Sequence, residues 1–337
     1  MAVVGDKRYY YVAALISTLI LVALVYTYYT DRFTRIYAAS KMIIGRRVTV
    51  SSAKPFSGVT SSFQRPDVVQ PATFDFRNET FNCTQMHLVN MTFPLCHYTT
   101  KNDVWVTGRL LRGTYFEGNE VSRFLRLFRF DPQLQLVDIG ANIGVYSLPA
   151  ARVTKVLAVE PNWHSMARLA KAVNLGGVIS NVTLVQNAIS NVHATLNMGV
   201  HPTNQGNAFL INTIKCKATP VNLTCDTLAP TRTIHLNDLL PLMRSKSALM
   251  KVDVEGHEVN IFTDATAGQF FDQVDVPLVF MEWILCKRHS TDIVQRLLNF
   301  FYSRNYAVFG VDNSKLASPY NNWPENVLFK KMIHLRF

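Results

Sequence analysis

Short apolar runs alternate with longer mixed segments from residue 134 onward. The runs at 134–139, 155–160, 182–186, 248–252 and 276–281 are almost continuous in Val, Leu, Ile, Ala, Met and Phe. A strand covered on both faces demands this composition, whereas a strand with one wet face would alternate. Between the runs lie helical segments at Val145–Arg152, Trp163–Asn174, Leu236–Met243, from Glu258 onward, and Thr291–Ser303, and two last strands fall near 305–311 and 326–331. Strands alternating with helices predict a mostly parallel α/β sheet with helices on both faces and ligands beyond the carboxyl ends of the strands. Upstream, Val104-Trp105-Val106 reads as a strand. The stretch Glu120–Phe130 reads as an amphipathic helix, with Val121, Phe124, Leu125 and Phe128 on one side and Arg123, Arg126 and Arg129 on the other.

The amino-terminal pattern is different. No charged residue occurs between Tyr9 and Tyr29, and tyrosines cluster at both ends of that segment. A helix of this length and composition spans a hydrocarbon core of about 30 Å, with an aromatic belt at each interface. No small-x-small site follows it, so the segment reads as an uncleaved anchor rather than a signal peptide. Residues 30–70 mix Ser, Thr, Pro and Val without period and read as a stem. The expected organisation is a tail at 1–8, an anchor at 9–29, a stem at 30–70, an extension at 71–133 and a catalytic domain at 134–337.

The chain carries 34 Lys and Arg against 23 Asp and Glu, a net charge of +11. Eight of those bases and only two acids lie in the first sixty residues, which makes the excess a membrane-surface feature rather than a nucleic-acid site. Basic residues after the anchor favour a cytosolic domain by the positive-inside rule. Five N-x-[ST] sequons, at Asn78, Asn82, Asn90, Asn181 and Asn222, favour a lumenal one. The cysteines agree with the sequons: Cys83 and Cys96 bracket one short polar segment and Cys216 and Cys225 another, as two surface disulfides would, leaving Cys286 as a core thiol. The balance is a type II protein with its catalytic part in the lumen, the Golgi being the expected compartment. No zinc-type spacing of Cys or His is present.

The chemistry concentrates in three segments. Val137-Asp138-Ile139-Gly140-Ala141-Asn142-Ile143-Gly144 ends a strand in an acid and a glycine-spaced turn, and the next strand ends in Glu160. Glycines admit backbone to a ligand, and the second acid accepts hydrogen bonds from ribose hydroxyls. Asn142 stands where a dinucleotide turn needs its middle glycine, so no diphosphate cradle is expected; this also argues against a nicotinamide oxidoreductase. An adenosine cofactor with a cationic end, S-adenosylmethionine, fits better. The third segment, Met250-Lys251-Val252-Asp253-Val254-Glu255-Gly256-His257-Glu258, places four ionisable groups in six residues beyond a strand.

Together with Val159-Glu160-Pro161-Asn162, these segments resemble the FkbM-type family of S-adenosylmethionine-dependent methyltransferases, whose signature is K-x-D-x-E-G-x-E; the likeness begins near residue 104. The resemblance implies a Rossmann-like class I methyltransferase sheet of seven strands, the last antiparallel, and O-methyl transfer. It also implies that Asp138, Gly140, Asn142 and Gly144 line the methionine end, that Glu160 holds the ribose, that Gln186-Asn187-Ala188 meets the adenine, and that Asp253 borders the cofactor.

Methyl transfer to a neutral hydroxyl needs a base near the acceptor. Glu255 or His257 is the expected base, Asp253 the orienting group and Glu282 an assistant, while Glu258 reads as a helix-terminal acid. A divalent cation on Asp253, Glu255 and Glu282 is chemically compatible, although no ligand set is visible from spacing. The abundant hydroxyl acceptors of a secretory compartment are glycans. The competing readings are a non-catalytic lumenal binding protein that takes the same cofactor, and a cytosolic domain acting on a small molecule or lipid.

Overall fold

The computed structural model describes residues 63–76, 80–201, 203–211, 226–263, 265–317 and 319–332. All belong to the unit Ser61–Phe337. The anchor expected at 9–29, Asn78, Asn222 and the pair Cys216 and Cys225 lie outside the described residues. Among those described, no helix is long and apolar enough to cross a membrane.

The strands in chain order are β1 (Val68–Val69), β2 (Asn82–Leu88), β3 (Met91–His97), β4 (Gln135–Ile139), β5 (Val156–Val159), β6 (Val182–Val185), β7 (Ala188–Ile189), β8 (Thr195–His201), β9 (Asn204–Leu210), β10 (Asp226–Ile234), β11 (Ser247–Val252), β12 (Asp275–Glu282), β13 (Tyr306–Gly310) and β14 (Asn326–Lys331). The helices are α1 (Val106–Leu110), α2 (Gly118–Phe130), α3 (Ser147–Ala150), α4 (Trp163–Leu175), α5 (Glu258–Phe262), α6 (Ala265–Gln273) and α7 (Thr291–Tyr302).

The main sheet has the order β1-β6-β5-β4-β11-β12-β14-β13. Strands β6, β5, β4, β11 and β12 run parallel, and β14 is antiparallel to both β12 and β13. Seven strands were expected and eight are present: Val68 and Val69, at the end of the segment read as stem, pair antiparallel with the outer edge of β6. Every residue of β4 and β5 is buried, which explains the unbroken apolar runs. Adjacent residues of β4 feed opposite cores: Leu136 packs with Phe124 and Phe280, while Val137 and Ile139 pack with Met250 and Phe262.

Two local readings change. Val104-Trp105-Val106 is a turn entering α1, because the buried Asp103 carboxylate accepts the amides of Val106 at 3.1 Å and Thr107 at 2.9 Å and so caps the helix. The stretch after β6, in which the apolar pattern marks no strand before 248, forms a second sheet, β7-β10-β8-β9. Pro149 falls inside the single turn of α3, within the part of a helix that tolerates a missing amide. The stripe expected around Phe124 is present in α2, with Arg126 and Arg129 exposed.

Strands β2 and β3 form a hairpin closed by a disulfide between Cys83 and Cys96. Asn82 and Asn90 are exposed on it. Asn181 is placed differently: its side-chain nitrogen, where a glycan would attach, donates to the Ala151 carbonyl at 2.9 Å. Cys286 is a buried free thiol.

Candidate active site

The sheet order reverses between β4 and β11: from β4 the chain works outward to β6, then returns to start β11 on the other side. The turns leaving these two strands therefore meet, and they meet tightly. Gly140 has φ +79°, and a Cβ there would lie 1.8 Å from the Asp253 carbonyl oxygen. Register puts Asp138 beside Lys251. The buried Lys251 ammonium donates to the Gly140 carbonyl at 2.9 Å, pairs with Asp253 at 3.1 Å and faces Asp138 at 3.9 Å. One cation thus fastens both turns, and its carboxylate neighbours raise its pKa against the lowering effect of burial.

Two clefts open from this junction. The first, about 590 Å³ with its mouth included, lies between the strand ends and the β8–β9 hairpin. Ile139, Val159, Ile189 and Phe209 give it apolar walls, and Gly140 and Glu160 stand at its polar end. Glu160 accepts the amides of Asn142 and Asn162, each at 2.8 Å, while burial raises its pKa to about 7. The second cleft, about 1410 Å³ with its mouth, is lined by Glu117, Tyr146, Lys251 and Glu282, with Trp105 at 55 % exposure. Asn142, Asn207, Asp253 and Glu255 line both.

The expected site residues divide accordingly. Gly140, Asn142, Glu160, Asp253 and Glu255 come together, and Glu282 joins them from the end of β12 in the second cleft. Asp138 does not reach either wall. It is buried behind the turn, accepts the Ser147 hydroxyl at 2.6 Å, and has a pKa raised chiefly by burial. Gly144 also serves packing, since a Cβ at its φ of +95° would meet Leu169 at 2.5 Å. Asn187 borders the first cleft, but its amide is committed elsewhere: Oδ1 accepts the Asp67 amide at 2.7 Å and Nδ2 donates to the Asp67 carboxylate at 2.8 Å. Any adenine contact there falls to backbone rather than to that side chain.

His257, expected as an alternative base, borders the first cleft and not the second. It shares a 3.0 Å hydrogen bond with the Ser190 hydroxyl, and burial lowers its pKa to about 4. Successive positive φ values at Glu255 (60°) and Gly256 (94°) reverse the chain between the two side chains. Glu258 accepts the amides of Val254 at 2.9 Å and Gly256 at 3.4 Å and so holds this reversal, with a pKa raised by burial to about 7.

For a cation, the described residues bring oxygens of Asp253, Glu258 and Glu282 within 4.8 Å of one another, a set that includes Glu258 in place of Glu255. Lys251 already pairs with Asp253, and backbone amides already serve Glu258, so two of the three carboxylates are engaged within the protein. Trp283 and Trp323 are core residues that donate to the Tyr320 and Ala317 carbonyls, whereas Trp105 borders the second cleft. Sequence reasoning missed Glu117 and Tyr146, which carry no motif.

Fold and site together define a Rossmann-like α/β protein with a largely apolar cleft and an acid-lined cleft sharing residues at the carboxyl ends of its strands. The chain belongs to the methyltransferase FkbM domain family, whose profile matches residues 138–308. Among solved structures it is similar to methyltransferase FkbM from Methylobacillus flagellatus KT, with 13 % identity over 58 % of this chain and a TM-score of 0.35. The match spans only 43 % of that protein's length. It is also similar to a putative O-methyltransferase from Klebsiella pneumoniae, with 14 % identity over 63 % of this chain and 80 % of that one, at a TM-score of 0.35. A SAM-dependent O-methyltransferase from Thermotoga maritima matches with 11 % identity over 63 % of this chain and 64 % of that one, at a TM-score of 0.30. No curated protein sequence matches.

Proposed function

We propose that this chain is an S-adenosylmethionine-dependent O-methyltransferase of a secretory compartment, anchored by its amino-terminal segment and acting on a glycan hydroxyl. One observation carries the reading: a largely apolar cleft with the Glu160 carboxylate in its lining shares Asn142, Asn207, Asp253 and Glu255 with an acid-lined cleft. The residues fit the cofactor. The Gly140 turn lines the cleft, Glu160 keeps oxygen lone pairs for ribose hydroxyls, and the acids at the junction suit a cationic end. When bound, the cofactor supplies an electrophilic methyl group. The chain's own part is to align the acceptor oxygen in the second cleft and to receive its proton.

Trp105 offers an exposed ring on which a sugar can stack, and this favours a glycan acceptor. The Cys83–Cys96 disulfide and the exposed sequon residues Asn82 and Asn90 support a lumenal catalytic domain, and the Golgi is the compartment proposed. The full chain in membranes, given methyl-labelled cofactor and a pool of released glycans, small alcohols and lipids, is expected to label the glycan fraction. Label confined to lipid or small alcohols would transfer the activity to another acceptor class. An absence of any glycosidase-sensitive mobility shift would argue for a cytosolic domain.

A further inference from the structure

Glu117 stands where the chain turns into α2, at φ +50°. A non-glycine residue held in the left-handed region is strained, and such strain collects at functional sites. Among the described residues, three of the six non-glycine residues with positive φ, namely Glu117, Asn142 and Glu255, line the second cleft. Two neutral donors fix the Glu117 carboxylate: the Tyr146 hydroxyl at 3.0 Å on Oε2 and the Asn326 amide at 3.1 Å on Oε1. The nearby cation, Lys251, is bound to Asp253 and the Gly140 carbonyl.

We propose that Glu117, rather than Glu255 or His257, takes the proton from the acceptor hydroxyl. The claim rests on the methyl-transfer reading above. In the step, the bond between acceptor oxygen and methyl carbon forms as the bond between methyl carbon and sulfur breaks. That electron pair stays on sulfur, the hydroxyl proton passes to the Glu117 carboxylate, and the cleft mouth returns it to solvent.

The surroundings suit the task. Burial, then the Asp253 charge, raise the Glu117 pKa to about 7; Lys251 and the Tyr146 hydrogen bond oppose this, and Glu120 adds to it. Arg109 from α1, Glu255, Glu282 from β12 and Glu325 before β14 complete the ionisable lining. A base whose pKa lies near the working pH combines a large deprotonated fraction with useful basicity. His257, with a pKa of about 4, is deprotonated but too weakly basic, and it lines the other cleft.

The test uses the full chain in membranes, wild type and Glu117→Gln, with S-adenosylhomocysteine as binding probe and the labelled acceptor pool as substrate. The expected result is a transfer rate lower by roughly 10²–10⁴-fold, partly rescued in Glu117→Asp, with probe affinity kept within about threefold. The rising limb of the wild-type rate near pH 7 should vanish in Glu117→Gln. Independently of any acceptor, carboxyl carbon resonances of glutamate-labelled protein should include one that titrates near pH 7 and is missing from Glu117→Gln. Transfer within about fivefold of wild type, loss of probe binding, or an unchanged set of resonances would each overturn the proposal. A wild type that binds the probe but labels nothing removes both the transfer reading and this role. A wild type that does not bind the probe removes the cofactor reading itself.

Discussion

Gly140 and Lys251 hold the site together from opposite directions, one by lacking a side chain and one by the reach of its own. Gly140→Ala would drive a methyl group into the Asp253 carbonyl, since only 1.8 Å separates the ideal Cβ from that oxygen, at a φ of +79°. The expected cost is about 3 kcal/mol or more, with loss of S-adenosylhomocysteine binding, measured by thermal melting and calorimetry. Lys251→Met would leave Asp138 buried beside Asp253 without its cation. Removing one member of a buried charge set costs about 3–5 kcal/mol, readable in urea unfolding, and a loss under about 1 kcal/mol would show that Asp138 is neutral without it. Short spacing singled out Gly140, Glu160, Asp253 and Glu255, and the fold gathers these four along one cleft. His257 and Glu255 were expected side by side, but across left-handed Glu255 and Gly256 only Glu255 borders both clefts while His257 borders the first alone. Glu117 carried no signal, since its partners Tyr146 and Asn326 are distant in the chain and only the fold assembles them.

At the scale of elements, the parallel strands were readable because burial on both faces leaves an apolar run, and their predicted limits agree with β4, β5, β6, β11 and β12 to within one or two residues. The sheet over the first cleft was not readable. Its strands β8 and β9 are rich in Asn, Gly and Thr and only partly buried, which erases the two-residue alternation. α1 was misread because three apolar residues outweighed the Asp103 cap. β1 was missed because two valines are too few to show a period, and tertiary contacts hold them. Asn187 does most of that holding, through Asp67, while the Arg232–Asp67 pair is half exposed. Asn187→Ala should therefore cost about 1–3 kcal/mol and speed amide exchange at Val69, whereas Arg232→Ala should cost under about 1 kcal/mol. Equal effects in the two variants, read by exchange and urea unfolding, would contradict this division.

For the whole molecule, burial of carboxyl groups sets the response to pH. Glu117, Glu160 and Glu258 all move from 4.5 up to about 7. Between those values the folded protein binds more protons than the unfolded chain, so stability falls as pH rises from about 4.5 through about 7. His257 acts oppositely: its pKa falls from 6.5 to about 4, so its contribution is lost as pH drops through that interval. Asp138 is raised as well and His289 lowered, so four carboxyl groups against two histidines predict greater stability at pH 5.5 than at pH 8 in urea unfolding, with a flatter profile in Glu160→Gln; a maximum at pH 8 would show that these carboxyls are charged in the fold. The cleft beside Gly140 and Glu160 is the proposed seat of S-adenosylmethionine, and calorimetric titration of the full chain with S-adenosylhomocysteine decides whether it is. One site with a dissociation constant on the order of micromolar, weakened at least about tenfold by Glu160→Ala, is the predicted result. Absence of binding at millimolar concentration, or binding indifferent to Glu160, would contradict it.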